Sequence, residues 1–516
     1  MKFVLTLFFF FAWARAQHPG HGKPLGFHRP SSGHIDVYEE GTMPSPLEFW
    51  TKYASKGEPV LFRGAANRSL ARHRWTDEYV REHFGDLEVK MEGKVEKGGD
   101  LPVSELGAGR MAIREFLNRY ETDNVYVVSQ LPEPMYGDVS VLPCLTCGAF
   151  RRRLLEVDLW FSSGGTKSLL HRDADNAINC LLAGRKDWIL IDRKYTHLVP
   201  LATEPDGAFG AFALLDVDRV NLKKYPQLVG LPWRHANVTA GDCLYLPYSY
   251  LHQVRSYERN IAVSVLFARL EEFDEGGCER HGDDDYVPLD QLHVTWSYSG
   301  HGQMSMGNAD PEHVRLALRT FLDENGVLSR DALHRGLVEN KELTDDEAED
   351  AVDEMFSLFG RDGGIVIDQE VIAGLNEADL KLIANLTTMD DQDEANTYEY
   401  EHVLFERESV KLFVEDMLSS PDDKVTSEAF VDKWVNDFGG SATMGFKLFS
   451  AIDLAAKGYI TSYDLSEAGE KPYEAFRPKK VDKGNVEYHE EMKEVETVFG
   501  EKTNDVDTSA AVHEEL

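Results

Sequence analysis

A chain of 516 residues, 42% of them hydrophobic, has room for roughly two to four domains and enough apolar side chains to fill their cores, which excludes wholesale disorder. Lysine and arginine number 54 against 90 acids, a formal charge of −36, and the acids gather mainly after about residue 270. A nucleic-acid surface needs a basic stripe, so that class is excluded; a solvated or calcium-attracting region fits instead.

In chain order, Lys2, the apolar run Phe3 to Trp13 and the small-x-small step Ala14-Arg15-Ala16 read as a secretory signal peptide over residues 1–16. That run is too short to span a bilayer, and no later stretch reaches the roughly 20 apolar residues required, so no membrane span is expected. The chain finishes His513-Glu514-Glu515-Leu516, similar to an endoplasmic reticulum retrieval signal with Glu in place of Asp. Together the two ends predict an endoplasmic reticulum lumen address, with secretion as the alternative, and a retrieval receptor as one partner. Sequons at Asn67, Asn237 and Asn385 are compatible with a glycoprotein of that compartment.

Residues 17–35, rich in Gly, Pro and His, read as a flexible linker. From 36 to about 135 come helical segments in SPLEFWTKYASKG, WTDEYVREHFG and MAIREFLNRYE, and strand-like EPVLFRGAA and NVYVVSQL. The pair Cys144 and Cys147 is expected to close a short structural disulfide in an oxidising lumen. Cys180 and Cys243 fall in apolar strand runs and read as buried thiols.

Between about 154 and 268 short apolar, β-branched runs follow one another, among them LEVDLWFSS, NAINCLLAG, DWILID and NIAVSVLFAR. Such succession argues a sandwich or barrel, and a double-stranded β-helix (jelly-roll) satisfies it. Ala183-Gly184-Arg185 reads as a tight hairpin between two of these strands. Within this region stand His171 and Asp173, with His252 following 79 positions after the aspartate. Two imidazoles and one carboxylate make the ligand set of a facial iron(II) site with open positions. On extended chain, residues i and i+2 share a face, so His171 and Asp173 reach one metal together.

After about 300 the period turns helical and acidic. Four loop-like sites centre on Leu328, Ile365, Val425 and Ile460, separated by 37, 60 and 35 residues, which predicts two pairs of EF-hand-like loops joined by short strands. Their ligands are poor. The best, a weak calcium candidate at 453–464, offers Asp453, Thr461 and Asp464 but carries Ala455 and Lys457 where oxygens belong, so a packing role is favoured over calcium binding. Residues 471–516 read as a charged, flexible tail.

On HRD, AGRKDWILID and GDCLYLPYSYLHQV in that order and spacing, with FWTKYASKGEPVLFRGAA before them, the segment 36–270 resembles the Jumonji-C (JmjC) family of iron(II)/2-oxoglutarate oxygenases, in its cupin-like branch. The resemblance implies a jelly-roll JmjC domain over 36–270; with the all-α EF-hand-like domain read from loop spacing over 300–470, the chain is expected to be α+β and multi-domain. The resemblance also implies iron(II) on His171, Asp173 and His252, with 2-oxoglutarate anchored by Lys186 and assisted by Ser168. It further implies a dioxygenase that decarboxylates 2-oxoglutarate to succinate and hydroxylates a protein substrate. Two positions depart from the family pattern: Ala177 and Ser264 stand where relatives often carry Asn. The alternative is a non-catalytic lumenal scaffold or calcium-binding protein.

Overall fold

The computed structural model describes residues 20–94, 107–201, 212–213, 215–279, 281–282, 284–341, 345–359, 366–387, 407–418, 424–434, 438, 442–473 and 476. The signal segment 1–16, the tail beyond 476 with its terminal tetrapeptide, and Ile365 lie outside the described residues.

Fifteen strands are named here in chain order: β1 (Asp36–Tyr38), β2 (Val60–Phe62), β3 (Glu88–Glu92), β4 (Gly107–Ala112), β5 (Tyr126–Gln130), β6 (Ser140–Val141), β7 (Leu154–Ser162), β8 (Thr166–Lys167), β9 (Asn176–Ile191), β10 (Arg234–Thr239), β11 (Cys243–Leu246), β12 (Leu251–Phe267), β13 (Val287–Pro288), β14 (Val425–Thr426) and β15 (Tyr459–Ile460). Eleven of them form one mixed sheet in the order β1-β2-β11-β9-β12-β7-β5-β3-β4, with β10 added to β9 and β8 to β12. Its one parallel pair is β1 with β2; the others are antiparallel.

The sheet curls on itself, as its own register requires. Leu190, near the end of β9, pairs with His252, while Asn176 at its start pairs with Phe267 at the far end of β12. Asp173 lies against His252 yet is only three residues from Asn176, a reach of about 10 Å. A straight 16-residue strand would separate those ends by about 50 Å. The β9–β12 ribbon must therefore fold back, and it does so at Gly184 (φ +82°), where the β12 register shifts between Tyr257 and Ile261. A side chain at Gly184 would sit 2.6 Å from the Arg259 carbonyl oxygen, so glycine is required at this corner. The expected hairpin at Ala183-Gly184-Arg185 is thus a bend within one strand. It stays continuous because its partner turns the same corner and the ladder resumes.

One core lies between the facing halves of the curl, around Leu181, Trp188, Leu190, Ala236, Leu244 and Ala262. A larger one packs the helices Asp77–Phe84 and Ile113–Arg119, and the Pro46–Phe49 turn, against the outer surface. The segment read as a linker is anchored from residue 20 on. Leu25 is buried in a third core with Leu170, Val217 and Leu228, and the Gly22 and Leu25 amides donate to the Val220 and Val217 carbonyls.

The cysteines pair differently from expectation. Disulfides join Cys147 to Cys278 and Cys180 to Cys243, leaving Cys144 as a buried thiol. Cys180 and Cys243 are direct cross-strand partners on β9 and β11, which brings their Cα atoms to 4.0 Å. Their apolar runs signalled burial but could not show that the two strands are neighbours. Cys144 instead points into the outer core, and Cys147 faces the loop carrying Cys278.

The helical region forms two clusters. The first, including Trp296, Val314, Leu333, Met355 and Ile383, is tied to the sheet through Thr295, whose amide donates to the Leu154 carbonyl of β7 at 3.0 Å and whose carbonyl accepts from Lys381. The Leu328 amide donates to the Ile367 carbonyl, joining one loop to the next. The second cluster gathers Val410, Phe430, Trp434, Leu448 and Ile460, and β14 pairs with β15 through Val425 and Ile460. No helix among the described residues is long and apolar enough to cross a membrane.

Candidate metal and co-substrate site

His171 and His252 face each other as a bridged pair, each donating its amide to the other's carbonyl, at 3.0 and 2.7 Å. His252 opens β12, whereas His171 lies on extended chain between β8 and β9, outside any named strand. This reciprocal bridge places both imidazoles on one face, with ring centroids 4.1 Å apart. Asp173, two residues on, has one carboxylate oxygen 3.6 Å from His171 Nε2 and the other 3.6 Å from His252 Nε2. One donor atom from each residue lies within 4.8 Å of the other two, the sole cluster of its kind among the described residues.

The donors are chemically ready. His171 Nδ1 lies 2.8 Å from the Leu169 carbonyl and His252 Nδ1 3.0 Å from the Tyr250 carbonyl. Each Nδ1 therefore carries a proton as donor, and each Nε2 lone pair is left toward Asp173. Burial, reinforced by the neighbouring His171, pushes His252 down to about 4 and keeps it neutral. Metal bonds of about 2.1 Å require neighbouring donors roughly 3 Å apart, so a small contraction closes the set on a divalent ion. The donor set fits iron(II). Trp188 stacks on His252 at 5.5 Å and Phe212 on His171 at 5.7 Å, shielding the cluster on two sides.

Lys186 pairs with Ser256, four residues beyond His252 on β12, so the two side chains share the inner face. It is only 4% exposed. Its ammonium lies 5.8 Å from the centre of the Trp160 ring, no carboxylate among the described residues pairs with it, and burial alone pushes it down to about 7. Ser168 is fixed against β12: its amide donates to the Val254 carbonyl and its hydroxyl oxygen accepts the Val254 amide, both at 2.9 Å, leaving the hydroxyl proton to donate.

Among the inward-facing groups, Gln130, Glu156 and Asp158 escaped the sequence reading, whereas Ser264 was singled out there. Gln130, Asp158, Ser264 and Asn179 stand in register across β5, β7, β12 and β9. Glu156 lies on the same face of β7, its Oε2 accepting the Gly307 amide at 2.9 Å. The signal was present in LEVDLWFSS: period two places Glu156, Asp158 and Trp160 on one side of a strand, an unusual pair of acids for an interior face. The two departures also gain a context. Ala177 faces inward with no polar group, while two residues on Asn179 donates to Ser264 Oγ at 2.8 Å.

The calcium candidates come together, but on one another. Asp453 accepts the Lys457 amide at 2.9 Å and the Gly458 amide at 2.8 Å. Asp464 Oδ2 takes the Thr461 amide and hydroxyl, and Asp464 Oδ1 takes the Lys457 ammonium at 2.5 Å. Burial raises the Asp464 carboxyl, but Lys457 and Thr461 more than offset it and hold it below the usual carboxylate range. An internal cation thus stands inside the loop.

Residues 46–273 match the family model described as a cupin-like domain. Jumonji C domain-containing protein 5 of Drosophila melanogaster is 26% identical over 242 residues, covering 43% of this chain and 57% of that protein. Lysine-specific demethylase 8 of Danio rerio is 24% identical over 237 residues, covering 44% and 57%. The human bifunctional peptidase and (3S)-lysyl hydroxylase JMJD7 is 21% identical over 258 residues, covering 43% and 81%. The chain spans little more than half the length of the first two. The residues matched by the family model are those of the jelly-roll.

Proposed function

We propose that the chain is an iron(II)- and 2-oxoglutarate-dependent hydroxylase acting on protein side chains in the endoplasmic reticulum lumen. The observation that carries this reading is Lys186. A lysine buried without a counter-ion is costly, and it is retained where an anion is to be received. It shares one inner face with His252, whose imidazole completes the metal cluster with His171 and Asp173. A dicarboxylate that chelates at the cluster and reaches inward meets the Lys186 ammonium, which neutralises its far carboxylate.

When bound, iron(II) supplies the redox chemistry that couples oxidation of the keto acid by dioxygen to hydroxylation of a C–H bond. The chain's own part is positional. The His171–His252 bridge and the two carbonyl contacts hold both imidazoles in the ligating tautomer, and Ser168 offers a proton donor beside them. Trp188 and Phe212 exclude water from two sides. Similarity to a protein named as a lysyl hydroxylase supports side-chain hydroxylation. Two disulfides suit an oxidising lumen.

The test is succinate formation from 2-oxoglutarate by the full chain loaded anaerobically with iron(II) and then exposed to dioxygen. Iron-dependent turnover that His171→Ala abolishes supports the reading; iron-independent turnover, or none, overturns it.

A further inference from the structure

The seam between the jelly-roll and the first helical cluster holds a cavity of about 570 Å³, whose lining includes neither Lys186 nor any of the three metal ligands. Trp50, Phe150 and Tyr248 give it an aromatic wall on the jelly-roll side. The helix Pro311–Thr320 forms the opposite side and contributes Arg315 and Arg319. Arg153, just before β7, and Arg269, just after β12, also line it.

Four arginines around one cavity need partners, and two of them have carboxylates. Arg153 donates to Asp310, and Arg315 holds Glu312 through Nε and Nη2 at 2.9 and 3.1 Å. The other two have none. Arg269 donates to His313 Nδ1 at 3.1 Å and lies over the Tyr248 ring, 5.0 Å from its centre. Arg319 Nε is buried with no partner, and no ion pair joins either arginine to a carboxylate among the described residues. Asp175 and Glu312 feel these two only as charges at longer range. Trp50 Nε1 is likewise buried without an acceptor. Because Arg269 can only donate, His313 Nδ1 accepts and its Nε2 carries the ring proton, a further donor.

Both unsatisfied buried atoms on this lining are therefore donors, and the two remaining acids, Glu271 and Glu272, are exposed to water. Orphan donors are completed by acceptors, and guanidinium charge without a carboxylate is completed by an anion. The cavity is of the size that holds a small organic molecule rather than a bare ion, and its aromatic wall suits an apolar body behind the acid group.

We propose that this seam binds a small organic oxyanion, a carboxylate or phosphate on an apolar body, with Arg269, Arg319 and Trp50 as its receptor. The site stands apart from the oxygenase reading, since its residues are neither the metal ligands nor Lys186. Trp50 and Arg269 come from the jelly-roll and Arg319 from the helical cluster, so the ligand also fastens one to the other.

Calorimetric titration of the full chain with phenylacetate, phenyl phosphate and the neutral isostere phenylacetamide tests this. One or both anions should bind, and phenylacetamide should bind roughly tenfold or more weakly. The two anion arms show which acid group the arginines take. Arg319→Met, which keeps length and removes charge, should weaken the anions by about tenfold or more, and Arg269→Met repeats the test from the jelly-roll side. Trp50→Phe, which keeps a ring and removes the N–H, should cost about fivefold. Lys186→Met should leave all these affinities unchanged, which separates the seam from the interior cation. Absence of anion binding to the wild type, equal binding of phenylacetamide, or anion binding that survives both arginine variants overturns the proposal, as does binding lost in Lys186→Met.

Discussion

The jelly-roll and the second helical cluster both bury acids, and they treat their charged groups in opposite ways. In the helical loop at 453–464 every such group is satisfied from within: Asp453 by backbone amides, Asp464 by Thr461 and Lys457. In the jelly-roll, Lys186 has no counter-ion among the described residues, and Asp158 Oδ1 and Asn179 Oδ1 have no donor among them. A buried polar group left unpaired costs about 1–3 kcal/mol, more if charged, so a fold that keeps several on one interior face holds them for a ligand. A loop that supplies its own cation holds its acids for packing.

The largest blow to this contrast comes from its metal ligands. His252→Ala should weaken iron(II) binding by more than about 100-fold, read by anaerobic titration, with succinate formation lost in step. A variant that still binds iron and turns over would place the metal elsewhere.

Next comes the pin between β9 and β11. Replacing both Cys180 and Cys243 by Ala removes a link spanning 63 residues and should cost about 4 kcal/mol of jelly-roll stability. Calorimetry should show the jelly-roll transition falling while the helical cluster around Trp434 keeps its own. An unchanged midpoint would mean the curl is held by its core alone.

A pH experiment sharpens the role of Lys186. Its folded value, pushed down to about 7, lies below the unfolded value, so between pH 7 and the ordinary lysine range the unfolded chain holds a proton that the empty site does not. The empty protein therefore gains stability as pH rises through that window. A bound carboxylate restores the charge, so 2-oxoglutarate binding should take up close to one proton at pH 8 and almost none at pH 6. Calorimetry in buffers of different ionisation enthalpy measures this; equal uptake at both values would take the anchor away from Lys186.

The smallest effect lies in the helical loop. Wild-type 453–464 should give no calcium heat at millimolar concentration, and Lys457→Asn should give weak binding by exchanging the internal cation for an oxygen. Calcium binding to this loop in the wild type would break the contrast from its other side.

Much of this was legible in the sequence, and the rest was hidden for identifiable reasons. His171, Asp173 and His252 were found because ligand chemistry restricts residue type and the strand period fixes which positions can meet. Lys186 and Ser168 came from family resemblance alone, and the structure adds their burial and anchoring. The Val425–Ile460 pairing followed from near-equal loop spacing. Missed were facts about neighbours across strands. The Cys180–Cys243 disulfide depends on β11 lying beside β9, and the Asp158–Ser264–Asn179 row on the order β7-β12-β9, neither written in any local window. The Gly184 corner looked like a hairpin because a left-handed glycine between two apolar runs serves either, and only the partner strand decides.

The central claim is that the interior cation and the metal cluster together receive one keto acid. Anaerobic calorimetry of 2-oxoglutarate binding to the iron(II)-loaded full chain, wild type beside Lys186→Met, tests it most directly. The account predicts a single site in the wild type and affinity at least about 30-fold weaker in the variant, the loss of one buried charge-assisted contact. Absent binding to the wild type, or equal binding to both, would contradict it.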